Sequence, residues 1–104
     1  MLKTLSFQDF VPYRNAAFSA AEAAGYELEL AELTDHSNAQ LEQFSLVFTC
    51  PALPWLPQGT YTLIHADGTE FVLFMVPIGP EDSTMRYESV FSRFAKNPGP
   101  SKQD

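Results

Sequence analysis

Apolar and polar residues alternate over much of the chain, which is the pattern of β-strands. Between Tyr26 and Leu30 the apolar residues alternate with Glu27 and Glu29, as in a strand with one buried and one solvated face. Further alternating segments predict strands at residues 44–48, 61–65, 69–78 and 86–94. We therefore expect a mainly β protein, in which five to six antiparallel strands form a small β-barrel or sandwich.

The predicted strand at residues 69–78 is unusual because both of its faces are apolar. It follows a tight turn at residues 66–69 that carries the favoured Asp-Gly pair, which predicts a hairpin. Its second face consists of Val72, Phe74 and Val76. This pattern predicts a central strand buried on both faces, and Pro77 and Gly79-Pro80 are expected to end it.

A short N-terminal helix is predicted at residues 6–13. Ser6 and Asp9 have the spacing of a capping box, in which two side chains satisfy free backbone amides. Phe7, Phe10 and Val11 give the segment an apolar face. Pro12 falls inside it and limits the helix to one or two turns.

The segment at residues 16–24 allows two interpretations. Six of its nine residues are alanine, so intrinsic propensity predicts a helix. The period of two begins immediately after Gly25, however, and favours a strand. The residues alone leave both alternatives open.

The length of 104 residues is that of one domain. We expect a single β domain at residues 1–96. Residues 97–104 contain two prolines, a glycine and no apolar anchor, which predicts a flexible C-terminal tail.

The charge distribution excludes some partners. The net charge is −7, and no Lys or Arg occurs between Arg14 and Arg86, a stretch that holds most of the acidic residues. Because nucleic acids and anionic membranes are bound through Lys and Arg, we expect neither as a partner. Another protein, with a basic face, fits better, although solubility alone also explains the charge.

The sequence predicts a cytoplasmic location. The N-terminus lacks the apolar segment of a signal peptide, and no run of about 18 apolar residues would span a membrane. The single cysteine, Cys50, cannot form an intrachain disulfide, which suits a reducing compartment. We expect it to be a buried structural thiol.

Several segments together resemble a family of small bacterial proteins grouped as a domain of unknown function. They are LSFQDFVPY, FSLVF, LPQGTYTLIH, FVLFMVPIG and RYESVF, at residues 5–13, 44–48, 56–65, 71–79 and 86–91. The resemblance implies a compact β-rich protein and favours a strand at residues 16–24. It associates some members with phage-tail-like proteins, and it implies no activity and no catalytic residues.

The most distinctive candidate site is the proline-rich segment before Gly59. Pro51, Pro54 and Pro57 recur every three residues, which is the period of a polyproline II helix. On one interpretation, Pro54, Trp55 and Leu56 form a stiff protein-binding anchor, because Trp is enriched at binding hot spots. On the other, Trp55 is buried and closes one end of the barrel.

Other candidate chemistry is weaker. His65 and Asp67 could form an acid–base pair, and a barrel mouth lined by Tyr61, His65 and Tyr87 could hold a small ligand. A zinc site requires three or four ligands, and no nucleophile elbow or phosphate-binding loop is present. We therefore predict no catalytic residues, no metal and no cofactor.

These observations favour a non-catalytic structural or adaptor protein that binds another protein, in a phage-derived, tail-like context. The first alternative is a small-ligand binder or enzyme that uses a barrel mouth near His65. The second is an acidic mimic that occupies a nucleic-acid-binding protein. Pairing of the strand at residues 86–94 between two copies would also allow a homodimer.

Overall fold

The N-terminal part of the fold is a short helical segment. The computed structural model describes residues 6–94, so the predicted tail at residues 97–104 lies outside the described residues. Helix α1 (Phe7–Phe10) continues into a 3₁₀ turn (Val11–Tyr13), as the pattern predicted. The capping box is present: the Ser6 backbone N–H donates to a carboxylate oxygen of Asp9 at 2.8 Å.

Six strands make up most of the described residues. They are β1 (Ala17–Ala20), β2 (Glu27–Asp35), β3 (Leu41–Cys50), β4 (Gly59–His65), β5 (Glu70–Glu81) and β6 (Thr84–Phe94). Every pairing is antiparallel, and the strands close into a barrel in the order β1-β2-β3-β6-β5-β4. The structure therefore confirms the mainly β class and is a barrel rather than a sandwich.

The barrel interior is filled by side chains. The inward residues of β2 and β3 are those that the alternation predicted, among them Leu28, Leu30 and Phe48, which are at most 1% exposed. Phe10 of α1 is fully buried and contacts the rings of Phe44 and Phe71, so the helix closes one end of the barrel. No helix among the described residues is long and apolar enough to cross a bilayer.

The alanine-rich segment is a strand for only part of its length. Residues 17–20 pair with β2 on one side and with β4 on the other, and a turn follows. Phe18 and Ala20 point into the core at 1% and 4% exposure. The intrinsic helix preference of alanine is overridden because the barrel closes only when β1 bridges β2 and β4.

Strand β5 differs from the prediction in two ways. It continues past Pro77, Gly79 and Pro80 to Glu81, because a bulge between Pro77 and Gly79 lets the ladder with β6 resume. Its second face is also not buried throughout: Val72 and Phe74 are 60% and 53% exposed. Apolar character on both faces therefore did not mean burial on both faces.

Candidate functional site

The loop at residues 51–58 lies across the end of the barrel opposite α1. It begins where β3 ends, because Pro51 has no backbone N–H to continue the ladder. The chain bends at Leu53 and Pro54, so the segment is not a regular polyproline II helix. We call this segment the proline loop.

Three tyrosine hydroxyls hold the proline loop against the barrel. The Leu56 N–H donates to the hydroxyl oxygen of Tyr87 at 2.9 Å. The hydroxyl of Tyr61 donates to the Pro57 carbonyl at 2.6 Å, and that of Tyr26 donates to the Pro54 carbonyl. These tyrosines lie on β6, on β4 and immediately before β2, so the loop is attached at three separate points.

Burial raises the pKa of the buried tyrosines in this group. Desolvation is the main cause for Tyr87 and for Tyr61, and the nearby Glu22 carboxylate raises the Tyr61 pKa further. Both hydroxyls therefore remain protonated near neutral pH. The Tyr61 hydroxyl can then act as the donor that its contact with Pro57 requires.

The side chains of the proline loop divide between the core and the surface. Leu56 is 7% exposed and belongs to the core cluster, so it is Leu56 that closes this end of the barrel. Trp55 is 41% exposed, Leu53 is 72% exposed and Pro54 is also at the surface. Of the three residues predicted as the anchor, Pro54 and Trp55 are accessible and Leu56 is not.

Leu53 is an exposed residue that lies outside the predicted anchor of Pro54, Trp55 and Leu56. An apolar residue between two prolines gives no periodic signal that separates an inward side chain from an outward one. Only the loop geometry shows that Leu53 and Trp55 are exposed while Leu56 turns inward. The apolar surface of the loop therefore consists of Leu53, Pro54 and Trp55.

Carboxylates lie on the barrel surface next to the loop. Glu27 and Glu29 on β2 are exposed, and Glu29 is the cross-strand partner of Thr49, which is close to the start of the loop. A shallow depression of about 430 Å³ lies here and is lined by both glutamates and Pro51. The start of the loop therefore has Glu29 on one side and Arg86, the β6 partner of Thr49, on the other, and Arg86 is itself ion-paired with Glu32 and Glu81.

His65 lies at the far end of β4 from Tyr61, near α1. Its ring packs against Tyr13 and Phe18, with centroids 4.9 and 5.5 Å away. Tyr61 and Tyr87 contact the proline loop at the other end. The three residues of the predicted barrel mouth are therefore not brought together, and large side chains fill the barrel between them.

A hydrogen-bond network surrounds Asp67 in the β4–β5 turn. Its carboxylate accepts from the Thr69 N–H at 2.8 Å and from the Tyr13 hydroxyl at 3.0 Å. The His65 Nδ1 lies 3.0 Å from both the amide nitrogen and Oδ1 of Asp67. An unprotonated Nδ1 accepts from the amide, whereas a protonated one donates to the carboxylate. The network ties the 3₁₀ turn to the hairpin.

Other candidate chemistry is sparse among the described residues. Cys50 is a free thiol with no exposed surface. Within residues 6–94, no group of three or more His, Cys, Asp or Glu side chains is arranged to hold a metal ion. Among the described residues, the proline loop is therefore the feature that combines a fixed backbone with exposed apolar side chains.

Fold and site together define a small acidic β-barrel with a fixed apolar loop at one end. The chain belongs to the family described as a domain of unknown function, DUF6916, whose model matches residues 5–91. The match covers β1 to β5 and most of β6, and it confirms the resemblance to this family. No curated protein and no solved structure shows significant similarity to the chain.

Proposed function

We propose that this protein is a non-catalytic structural or adaptor module that binds another protein through the proline loop. The observation that carries the proposal is the combination of Leu53 and Trp55 at the surface with a backbone held by three tyrosine hydroxyls. Flexible surface loops do not need such attachments. A loop that presents a binding anchor needs them, because ordering a flexible loop during binding would reduce the affinity.

The residue types suit an anchor. Trp is the residue most enriched at binding hot spots, and its large ring buries much area with few rotatable bonds. Leu53 adds a flexible aliphatic contact beside it. The partner we propose therefore has an apolar pocket for the two side chains.

The rim of that pocket is proposed to be basic. Glu27 and Glu29 lie beside the loop, and opposite charges across an interface steer association and fix orientation. We place the complex in the cytoplasm and in a phage-derived, tail-like assembly. The single buried thiol supports the cytoplasmic location, and the tail-like context rests only on what the sequence resemblance implies.

Site-specific photo-cross-linking in the native host tests the proposal. A photoreactive phenylalanine analogue replaces Leu53 in one variant and Gln8, which is exposed on α1, in the control. We expect one defined adduct from position 53, its loss when Trp55→Ala is added, and no equivalent adduct from position 8. Equal adducts from both positions would contradict the proposal.

The partner identified in this way is then purified and titrated. We expect Trp55→Ala to weaken binding about 30-fold or more, the size of a hot-spot effect. Val11→Ala, at an exposed apolar position in the 3₁₀ turn, is the matched control and should leave the affinity unchanged. Similar effects of the two substitutions would show that the loop is not the binding site.

A further inference from the structure

Strand β4 continues past the end of β1 on the side of the barrel near the proline loop. The β1–β4 ladder ends at the pair Ala20 and Leu63, because the chain turns towards β2 at residues 21–25. We call these residues the β1–β2 turn. Thr62, the next residue of β4, directs its backbone N–H and carbonyl towards this turn. Both groups need hydrogen-bond partners that β1 no longer supplies.

The side chain of Glu22, in the β1–β2 turn, takes the place of the missing strand. One of its carboxylate oxygens accepts from the Thr62 backbone N–H at 2.7 Å, and the other accepts from the Thr62 hydroxyl at 2.8 Å. The Thr62 carbonyl accepts from the Ala21 N–H at 2.9 Å. The carboxylate thus acts as the backbone carbonyl of an added strand residue. Its charge makes these hydrogen bonds about twice as strong as neutral ones.

The contact between Glu22 and Thr62 joins the two segments that carry two of the loop's three tyrosine attachments. Tyr61 immediately precedes Thr62 on β4, and Tyr26 directly follows the β1–β2 turn. The hydroxyls of both tyrosines donate to carbonyl groups of the proline loop. Movement of β4 away from the turn therefore changes the spacing of these two attachments.

We propose that Glu22 is a positioning residue for the proline loop, and that the charge of its carboxylate keeps the loop fixed. The inference deepens the proposed function and rests on it, because the fixed loop is the surface offered to the partner. When Glu22 loses its charge, both hydrogen bonds from Thr62 weaken and the loop becomes more mobile. The strand ladders do not use the Glu22 side chain, so the barrel itself stays folded.

The surroundings of Glu22 make this charge sensitive to acid. No ion pair involves Glu22 among the described residues. The hydrogen bonds from Thr62 are the main cause that lowers its pKa below the usual 4.5, so the charge is complete near neutral pH and is lost as pH falls through the folded-state pKa. The titratable side chains on the neighbouring elements are those of Tyr61 on β4, Tyr26 and Glu27 at the start of β2, and Glu70 on β5.

Nuclear magnetic resonance of the free, ¹⁵N-labelled protein from about pH 7 to pH 3 tests the inference, because this range covers the titration of a glutamate carboxyl. We expect the Thr62 amide proton shift to titrate and the ¹H–¹⁵N NOE of Trp55, which reports fast backbone motion, to fall with it. Glu22→Gln keeps an acceptor oxygen without the charge. This variant should lose the Thr62 titration and should have, at neutral pH, the lower Trp55 NOE that the wild-type protein reaches in acid.

Two further variants complete the experiment. Glu70→Gln removes the same charge from an exposed position at the start of β5 and should behave like wild type. Thr62→Val removes only the hydroxyl contact, so the amide at position 62 should still titrate while the Trp55 NOE falls in part. Dispersed amide resonances from the core strands show that each sample is folded.

The outcomes separate this inference from the proposed function. A high Trp55 NOE that Glu22→Gln leaves unchanged overturns the inference and leaves the fixed loop of the proposed function intact. An equal fall of the NOE in Glu70→Gln overturns it too, because the effect is then not specific to Glu22. A low Trp55 NOE in the wild-type protein at neutral pH contradicts the fixed loop itself, and with it both proposals.

Discussion

Asp67 shows how single residues fix the end of the barrel near α1. The pKa of the Asp67 carboxyl lies well below the usual 3.8, mainly because of hydrogen bonds from the backbone N–H and the hydroxyl of Thr69. Hydrogen bonds with Tyr13 and His65 contribute less. The ionised carboxylate is therefore the form that the folded state prefers. Each of these hydrogen bonds weakens when the carboxylate is protonated.

Acid stability follows from this preference. Because the folded-state pKa of Asp67 lies below its unfolded value, its contribution is complete above that value and is lost as pH falls from about 5 through the folded pKa. We expect Asp67→Asn to flatten the decline of stability between about pH 5 and pH 2. Thermal unfolding across this pH range measures the stability of the wild-type protein and the variant. Parallel stability curves for the two proteins would contradict the role assigned to Asp67.

The conformation of β5 depends on one glycine at its bulge. The strand passes three residues that normally end strands, and it does so because Gly79 adopts a φ of 126° where the register with β6 shifts. This backbone conformation strongly disfavours residues with a Cβ atom. Space is not the constraint, because a Cβ at Gly79 would meet nothing within 4 Å.

Substitution of this glycine tests the bulge. We expect Gly79→Ala to destabilise the fold by about 1–3 kcal/mol, the cost of a strained backbone conformation. Gly59→Ala is the matched control: Gly59 has no positive φ, and its Cβ would lie 3.7 Å from the Tyr61 ring. Its effect should stay within about 0.5 kcal/mol in chemical denaturation. Equal losses for the two variants would argue against a strained bulge.

At the level of elements, the sequence predicted what depends on local pattern. The alternation around Leu28 and the capping box of Ser6 and Asp9 are local signals, and both are confirmed. The alanine-rich β1 forms because the barrel has to close, which is a long-range requirement that local propensity does not contain. The exposure of Val72 and Phe74 was not predicted for the same reason, since it depends on which face of β5 the barrel encloses.

The candidate site was predictable only in part. Three prolines and a tryptophan marked the segment as unusual, but which side chain enters the core depends on Tyr26, Tyr61 and Tyr87. These tyrosines come from three distant parts of the sequence. Nothing in the segment itself indicates that Leu56 is buried and that Trp55 is not.

For the whole molecule, the uneven charge gives the proposed binding surface at the proline loop a defined response to salt. The proline loop lies beside Glu27 and Glu29, so binding of a partner with a basic rim weakens as salt screens the attraction.

The central claim is that Trp55 is both accessible and held in a fixed position, and time-resolved fluorescence tests both properties. Trp55 is the only tryptophan of the chain, so its emission reports the proline loop alone. We predict efficient quenching by acrylamide, together with an anisotropy decay that follows the tumbling of the whole molecule. Tyr87→Phe removes the acceptor of the Leu56 N–H and should add a fast component. Protection from acrylamide in a monomeric sample, or a dominant fast decay in the wild-type protein, would contradict the account.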